Sequence, residues 1–198
     1  MSVVVVKLGV GNTASVMFAL ARLGEQAVLS DDAGTIANAE RVILPGVGAA
    51  AHAMHMMEDL GLRAVLRAFP RPLLGICLGQ QLLYEASEEG DASALGFFPG
   101  KVTRLPGSPE APSPHMGWSK LNLRGESPLT EGIPPGAYAY FAHSYICPMD
   151  ADAVATAEHG AVFPAMVARG NVFGCQFHPE RSGAVGERVL ANFVSLPC

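Results

Sequence analysis

Three stretches of the chain repeat one pattern, in which a buried run is followed by a short glycine-containing turn and then by apolar residues at helical spacing. Residues 2–8 are a β-branched run, and Val16, Leu20 and Leu23 recur at helical spacing after it. The pattern returns at 41–44 with a helix over about 50–69, and at 72–76 with a helix over about 78–85. Fully apolar strands that alternate with helices predict an α/β fold with a mostly parallel central sheet and helices on both faces.

The second half of the chain differs, because prolines separate short β-rich pieces from about residue 90 onward. Such pieces occupy 137–146, 153–157, 166–168 and 172–177, and they predict a β-rich antiparallel or mixed extension of the sheet. Residues 183–196 predict a final amphipathic helix with Val185, Val189 and Phe193 on one face. Without a linker or a repeat, residues 1–198 are expected to form a single domain.

The composition of the chain excludes several classes of protein and of partner. The chain is 49% hydrophobic and only 16% charged, which excludes a disordered protein. The net charge is −5 and the basic residues are scattered, so no nucleic-acid partner is expected. Prolines, glycines and a histidine interrupt the uncharged stretch 132–149, so no membrane segment is expected either. The 4 cysteines show no paired spacing, which favours a reducing cytoplasm.

Cys77 lies where a buried strand meets a helix, with Gly75 and Gly79 two positions away on either side. This arrangement predicts a nucleophile elbow, in which a sharp turn pushes the side chain out of the sheet and the glycines relieve backbone crowding. The helix N-terminus would favour the thiolate there. The alternative is a buried structural cysteine, a common fate of this residue.

A second segment, residues 174–180, supplies a base and a group to orient it. Pro179 holds His178 extended, so that His178 and Glu180 project to the same side and the carboxylate can orient the imidazole. Taken alone, the pair could be an ion pair without a function. Taken with Cys77, it completes a set of nucleophile, base and orienting acid.

Two other features carry less information. Residues 44–48 form a glycine loop at a strand end, where amides could act as oxyanion donors, although many strand-to-helix turns look the same. His52, His55 and Glu58 share a helix, but without further paired ligands a solvated helix face is the better interpretation. Neither a metal nor a cofactor is expected.

The Cys77 and His178 segments resemble those of class I (triad) glutamine amidotransferases, in the same order and at a similar separation. Within that family, residues 9–12, 44–49, 114–118 and 140–145 are similar to segments of the glutaminase subunits of imidazole glycerol phosphate synthases. The resemblance covers the whole chain. Lys7 and Leu8 depart from it, since the family often has Asp-Tyr before the first glycine segment. Gln80 also departs from it, since the family often has Met at that position.

The resemblance implies a role for each matched residue. Cys77, His178 and Glu180 would be the catalytic triad that hydrolyses the glutamine carboxamide. Gly48 and Leu78 would donate hydrogen bonds to the oxyanion. The substrate would be bound by Gln81, His143, Ser144 and Tyr145. The partner would be faced by Asn12, Trp118 and Arg181.

Ammonia must reach an acceptor before it becomes ammonium, and no room for a second catalytic domain is expected after Cys198. The resemblance therefore implies a separate cyclase subunit as partner, in histidine biosynthesis, with a glycine loop that responds to the partner's nucleotide substrate. Two alternatives stay open. The chain could serve another acceptor, such as an aminodeoxychorismate or anthranilate synthase, or it could be a non-catalytic regulatory subunit that kept the fold.

Overall fold

The computed structural model describes residues 2–9 and 12–198. The part of the sequence segment 9–12 that comprises Val10 and Gly11 lies outside the described residues. Within the described ranges the helices are α1 (Thr13–Arg22), α2 (Ala33–Asn38), α3 (Ala50–Asp59), α4 (Leu62–Arg67), α5 (Leu78–Leu82) and α6 (Gly183–Val194). The strands are β1 (Val3–Val6), β2 (Ala27–Ser30), β3 (Arg41–Gly46), β4 (Leu73–Cys77), β5 (Tyr84–Ser87), β6 (Ala92–Ser93), β7 (Phe98–Arg104), β8 (His115–Lys120), β9 (Asn122–Leu123), β10 (Tyr138–His143), β11 (Tyr145–Ile146), β12 (Ala153–His159), β13 (Ala161–Arg169) and β14 (Val172–Cys175).

The central sheet has eight strands in the order β2-β1-β3-β4-β14-β13-β12-β9. Its first five strands are parallel, and β13, β12 and β9 continue it in antiparallel fashion. The α/β class and the mixed extension of the sheet are thus confirmed. The carboxyl ends of β3, β4 and β14 meet at one edge, where open α/β sheets place their ligands.

Strand β1 shows how the sheet divides the core. Val3 and Val5 pack into one apolar cluster with α1, α6 and Phe141. Val4 and Val6 pack into a second cluster with residues of α2, α3, α4 and α5. Because successive side chains of a strand point to opposite faces, a strand buried on both faces must be apolar throughout, as this one is.

Two predicted helix boundaries are wrong. The helix expected over 50–69 is two helices, because Gly61 adopts a left-handed φ of 66° and turns the chain so that Leu62 and Leu66 become fully buried. The helix expected over 78–85 ends at Leu82, because Tyr84 begins β5 and packs its ring 5.3 Å from that of Phe98.

The β-rich half is also more divided than predicted. The piece 137–146 is two strands in different sheets: β10 pairs with β8 in a two-stranded ribbon, and β11 pairs with β7 in a four-stranded sheet with β5 and β6. The break comes at Ser144, whose carbonyl accepts a hydrogen bond from the Leu105 amide at 2.8 Å. This division places Ser144 between two sheets, beside the edge that carries Cys77.

Candidate active site

Cys77 sits at the turn from β4 into α5 with a φ of 55° and a ψ of −110°. A positive φ is unusual for a residue with a side chain and costs about 1–3 kcal/mol. The surrounding structure must therefore hold Cys77 in this conformation. Strain of this kind is common where a side chain is aimed for function. The sharp turn predicted from the sequence is therefore present at Cys77.

The flanking glycines allow backbone to pass very close to this turn. A Cβ on Gly79 would lie 1.8 Å from the Leu44 carbonyl oxygen, and a Cβ on Gly75 would lie 2.5 Å from the Gly79 carbonyl oxygen. No side chain fits at either position without moving backbone. The predicted reason for both glycines is confirmed.

His178 and Glu180 form a close, buried pair. His178 is extended at φ −97° and ψ 98°, and its Nδ1 lies 2.8 Å from Glu180 Oε1. Because a carboxylate only accepts, Nδ1 carries the hydrogen and Nε2 is left to face the Cys77 sulfur. The second carboxylate oxygen, Oε2, is buried and has no hydrogen-bond partner among the described residues.

The charge state of His178 follows from these neighbours. Burial disfavours the imidazolium, but hydrogen bonds with Cys77 and Glu180 outweigh burial and raise the pKa of His178 to about 10. At neutral pH the ring therefore holds a proton on each nitrogen. One proton is shared with Glu180, and the other is available beside the sulfur.

Ser182 holds the His178 segment against β10. Its hydroxyl donates to the His178 carbonyl at 2.7 Å and accepts from the Tyr140 amide at 3.0 Å. The His178 amide donates to the Tyr140 carbonyl at 2.9 Å. Sequence reasoning missed Ser182, since a serine three residues after a proline carries no signal without the β10 partner.

One pocket of about 400 Å³ joins nearly all the predicted site residues. This volume is in the usual range for small-molecule sites. Its lining includes Cys77, His178, Glu180, Gly48, Leu78, Gln81, His143, Ser144, Tyr145, Asn12 and Arg181. Of the predicted residues, only Trp118 does not line it.

Of the residues predicted to face a partner, Asn12 and Arg181 line this pocket and Trp118 does not. Asn12 also has a local role, because its Oδ1 accepts from the Ser15 amide at 3.2 Å and caps α1. Trp118 lies on β8 with 55% of its surface exposed, and its ring is 6.0 Å from that of Tyr140. The Arg181 guanidinium lies over the same tyrosine ring at 5.5 Å.

The predicted oxyanion donors belong to the two turns that meet here. Gly48 has a φ of 97° and open space where a side chain would be. Leu78 is the first residue of α5, so its amide has no acceptor within the helix. Both residues line the pocket that contains Cys77.

His143, which the resemblance assigns to the substrate and which lines the pocket, pairs with His115, a residue without a predicted role. His143 Nδ1 is 2.9 Å from the Tyr145 carbonyl oxygen, and its Nε2 is 3.1 Å from His115 Nδ1. His115 Nε2 is in turn 3.0 Å from the Ser119 hydroxyl. Burial is the main cause that lowers the pKa of His115 to about 3 and that of His143 to about 4, so both rings are neutral.

The other cysteines have different surroundings. Cys147 and Cys175 are buried, and burial raises the pKa of Cys147 to about 12 and that of Cys175 well above its usual range. Cys198 is exposed. All of these thiols are free.

Neither a metal cluster nor a membrane helix is found in the described part of the chain. Over residues 2–9 and 12–198, no three histidine, cysteine or acidic side chains group closely enough to hold a metal ion. His55 is exposed and pairs with Asp59 at 3.4 Å. Over the same residues, no helix has the length and apolar character to cross a bilayer.

A family model described as glutamine amidotransferase class-I matches residues 6–196 of the chain. The chain belongs to this family. It is 48% identical over 194 residues to "Imidazole glycerol phosphate synthase subunit HisH" from Xylella fastidiosa strain Temecula1, covering 98% of this chain and 97% of that protein. The protein of the same name from Xanthomonas euvesicatoria is also 48% identical, with the same coverage.

Solved structures agree on the fold. A structure titled "Crystal structure of glutamine amidotransferase" superposes with a TM-score of 0.74 at 20% identity and covers 96% of both chains. A chain from the structure of PurLQS from Thermotoga maritima superposes with a TM-score of 0.70 at 23% identity, covering 98% of this chain and 97% of that one. The family model and the HisH relatives show that the chain is a glutamine amidotransferase, an enzyme with glutaminase activity.

Proposed function

We propose that the chain is the glutaminase subunit of an imidazole glycerol phosphate synthase, which passes ammonia to a separate cyclase subunit in the cytoplasm. One observation supports the chemistry above all others: a strained cysteine and a buried histidine–glutamate pair line the same pocket. The near full-length identity of 48% to HisH proteins supports this acceptor over the aminodeoxychorismate and anthranilate alternatives. The retained Cys77, His178 and Glu180 argue against a regulatory subunit without activity.

The first half of the reaction forms a thioester. The Cys77 sulfur attacks the side-chain carboxamide carbon of glutamine, and the Nε2 proton of His178 goes to the departing nitrogen, which leaves as ammonia. The raised pKa of His178, about 10, means that this proton is already in place at neutral pH. His178 ends this half as a neutral ring.

The second half releases glutamate. Neutral His178 takes a proton from water through Nε2, the water oxygen attacks the thioester, and the sulfur leaves as a thiolate beside a restored imidazolium. Glu180 Oε1 lies 2.8 Å from His178 Nδ1 and accepts its hydrogen bond throughout, so Glu180 acts as a positioning residue and not as a proton carrier.

Both halves develop a negative charge on the former carboxamide oxygen. We assign the donors for this oxyanion to the Gly48 and Leu78 amides, one from each turn that lines the pocket. Gly46 and Gly48 flank Val47, so a peptide flip in this loop has little steric cost. A missing donor costs about 2.7–4 kcal/mol of transition-state stabilisation, or about 10²–10³ in rate.

Gln81, His143, Ser144 and Tyr145 would hold the amino acid end of glutamine. Both ring nitrogens of His143 and the Gln81 amide nitrogen are already engaged within the protein. The remaining polar side-chain groups of this set are the Gln81 Oε1 and the hydroxyls of Ser144 and Tyr145. We therefore assign His143 to holding this segment in place while its neighbours contact the substrate.

The partner would cover the side of the molecule on which Asn12, Trp118 and Arg181 lie. Met116 and Trp118 are 68% and 55% exposed, and the alternation along β8 places them on the same face of the ribbon. Exposed large apolar side chains in one area mark interaction sites in soluble proteins. Ammonia released next to them would enter the cyclase without crossing bulk water.

The test is ammonia release from glutamine by the chain alone, with the cyclase subunit, and with the cyclase plus its nucleotide ligand. We expect low turnover alone and a rise of about 10²–10³ with the loaded partner, because the oxyanion loop is then complete. The Gly48→Pro variant lacks the amide hydrogen and should lose this stimulation while still binding the partner. Full activity of the isolated chain would refute the switch, and stimulation only by another synthase would refute the assigned acceptor.

A further inference from the structure

We propose that Gln176 is a further catalytic residue, whose side-chain amide donates a hydrogen bond to the Cys77 sulfur and stabilises the thiolate that attacks glutamine. The proposal deepens the proposed function and rests on it in one respect, since it takes Cys77 as the nucleophile. Gln176 belongs neither to the nucleophile elbow nor to the histidine–glutamate pair.

The sheet topology brings Gln176 to the sulfur. Strand β14 runs parallel to β4 with Cys175 opposite Ile76, so the next residue along each strand, Gln176 and Cys77, emerge together at the carboxyl edge. The Gln176 side chain is fully buried, and its Nε2 lies 3.8 Å from Cys77 Sγ. This distance fits a hydrogen bond to sulfur, which is a larger acceptor atom than oxygen.

The orientation of the Gln176 amide is fixed by a chain of donors and acceptors. The Tyr145 carbonyl can only accept, and Gln81 Nε2 lies 2.9 Å from it, which sets the orientation of the Gln81 amide. The same Gln81 Nε2 lies 3.0 Å from Gln176 Oε1. A flipped Gln176 amide would bring two NH₂ groups face to face, so the Gln176 NH₂ must point to the sulfur.

The network continues on the other side of Tyr145. His143 Nδ1 also donates to the Tyr145 carbonyl, at 2.9 Å. A neutral His143 then accepts at Nε2 from His115, which itself accepts from the Ser119 hydroxyl. The donor that faces Cys77 is therefore held by contacts that reach from β8 to α5.

A donor in this position acts on the charged sulfur more than on the neutral one. A thiol is a weak acceptor, whereas a thiolate is a strong one, so the hydrogen bond from Gln176 favours the charged form of the nearly buried sulfur. The Ala142 carbonyl, 3.7 Å from the sulfur, can accept only from the thiol form. His178 is the charged group beside the sulfur of Cys77. Cys147 and Cys175 also interact with Cys77, and both are neutral thiols.

The test measures the reactivity of Cys77 without glutamine. Iodoacetamide alkylation of the full chain is followed from pH 5 to pH 10, with the label at Cys77 quantified by peptide mass spectrometry. We expect the rising limb of the Gln176→Met profile to lie about one pH unit higher than that of the wild type, so that alkylation on that limb is about tenfold slower, and the two profiles to meet at the high-pH plateau. A tenfold change corresponds to about 1.4 kcal/mol, at the lower end for a hydrogen bond to a charged group.

Gln80→Met is the matched control. Gln80 is another fully buried glutamine, but its Nε2 faces the sulfur of Cys147 at 3.5 Å and not that of Cys77. We expect its alkylation profile at Cys77 to match that of the wild type. Gln81→Met provides a second variant, because it removes the group that orients Gln176 and should move the rising limb in the same direction.

Two results would overturn the proposal. One is a Gln176→Met or Gln81→Met profile identical to that of Gln80→Met. The other is an equal loss of rate at every pH, which would indicate changed access to Cys77. The proposed function fails separately: a wild-type chain that releases no ammonia with any partner refutes it, whereas the alkylation profile still reports on Gln176.

Discussion

Acid should destabilise this enzyme through the buried pair His115 and His143, and His115→Asn should remove part of that sensitivity. His115 is 2% exposed and stacks on Phe141 and His159 with centroid distances of 5.0 and 4.1 Å. An asparagine amide can replace the Nδ1 donor toward His143 but cannot take up a proton. The variant therefore tests titration while it keeps one hydrogen bond.

The magnitude follows from linkage. The pKa of His115 is about 3 in the folded chain and about 6.5 in the unfolded one, so the unfolded state binds the proton first. The stabilising contribution of the neutral ring is complete above pH 6.5 and is lost as the pH falls from there toward 3. At pH 5 the loss is about 1.5 units, or about 2 kcal/mol.

His178 acts in the opposite direction. Its pKa is raised to about 10, so its contribution is complete below pH 6.5 and is lost as the pH rises through 10. His178 is present in both the wild type and His115→Asn, so it cancels in their difference.

Urea unfolding at pH 7.5 and at pH 5.0 measures this difference. We expect the free energy of unfolding of the wild type to fall by about 2 kcal/mol more between these pH values than that of His115→Asn. His52→Asn, at an exposed position of α3, should keep the wild-type pH dependence. The same pH dependence in the wild type and His115→Asn would refute the assignment of a buried neutral His115.

Three other predictions concern the packing, the site and the partner surface. Gly79→Ala should destabilise the chain by about 3 kcal/mol in urea unfolding, because its Cβ meets a backbone carbonyl at 1.8 Å; wild-type stability would contradict the close approach. His178→Asn should lower turnover by about 10³-fold and Glu180→Gln by less, with the KM for glutamine little changed; equal and complete loss would remove the proposed division of roles. Trp118→Ala should weaken cyclase binding by about 2 kcal/mol in titration calorimetry, unlike Val162→Ala at another exposed site, and equal affinities would place the interface elsewhere.

The features that could be predicted from sequence are those that a local segment determines alone. Strand β1 is apolar at four consecutive positions, and the segment around Cys77 contains its own turn and its own glycines. Pro179 likewise keeps His178 extended whatever surrounds it. For this reason the α/β class and the elbow geometry agree with the structure.

The features that sequence reasoning missed depend on contacts between distant segments. Gln176 has a partner 95 residues away in Gln81, and His115 has a partner 28 residues away in His143. The predicted helix breaks at Gly61. The sequence shows this glycine, but its left-handed conformation depends on the burial of Leu62 in the core. Such pairings follow from sheet order, which periodicity along one segment does not contain.

The central claim is that Cys77 is the nucleophile of this glutaminase, and covalent labelling tests it most directly. The chain is incubated with a chloroketone analogue of glutamine, and the modified cysteine is located by peptide mass spectrometry. We predict one label per chain at Cys77, protection by glutamine, and no ammonia release from Cys77→Ala. A label at Cys147, Cys175 or Cys198, or an active Cys77→Ala variant, would contradict the account.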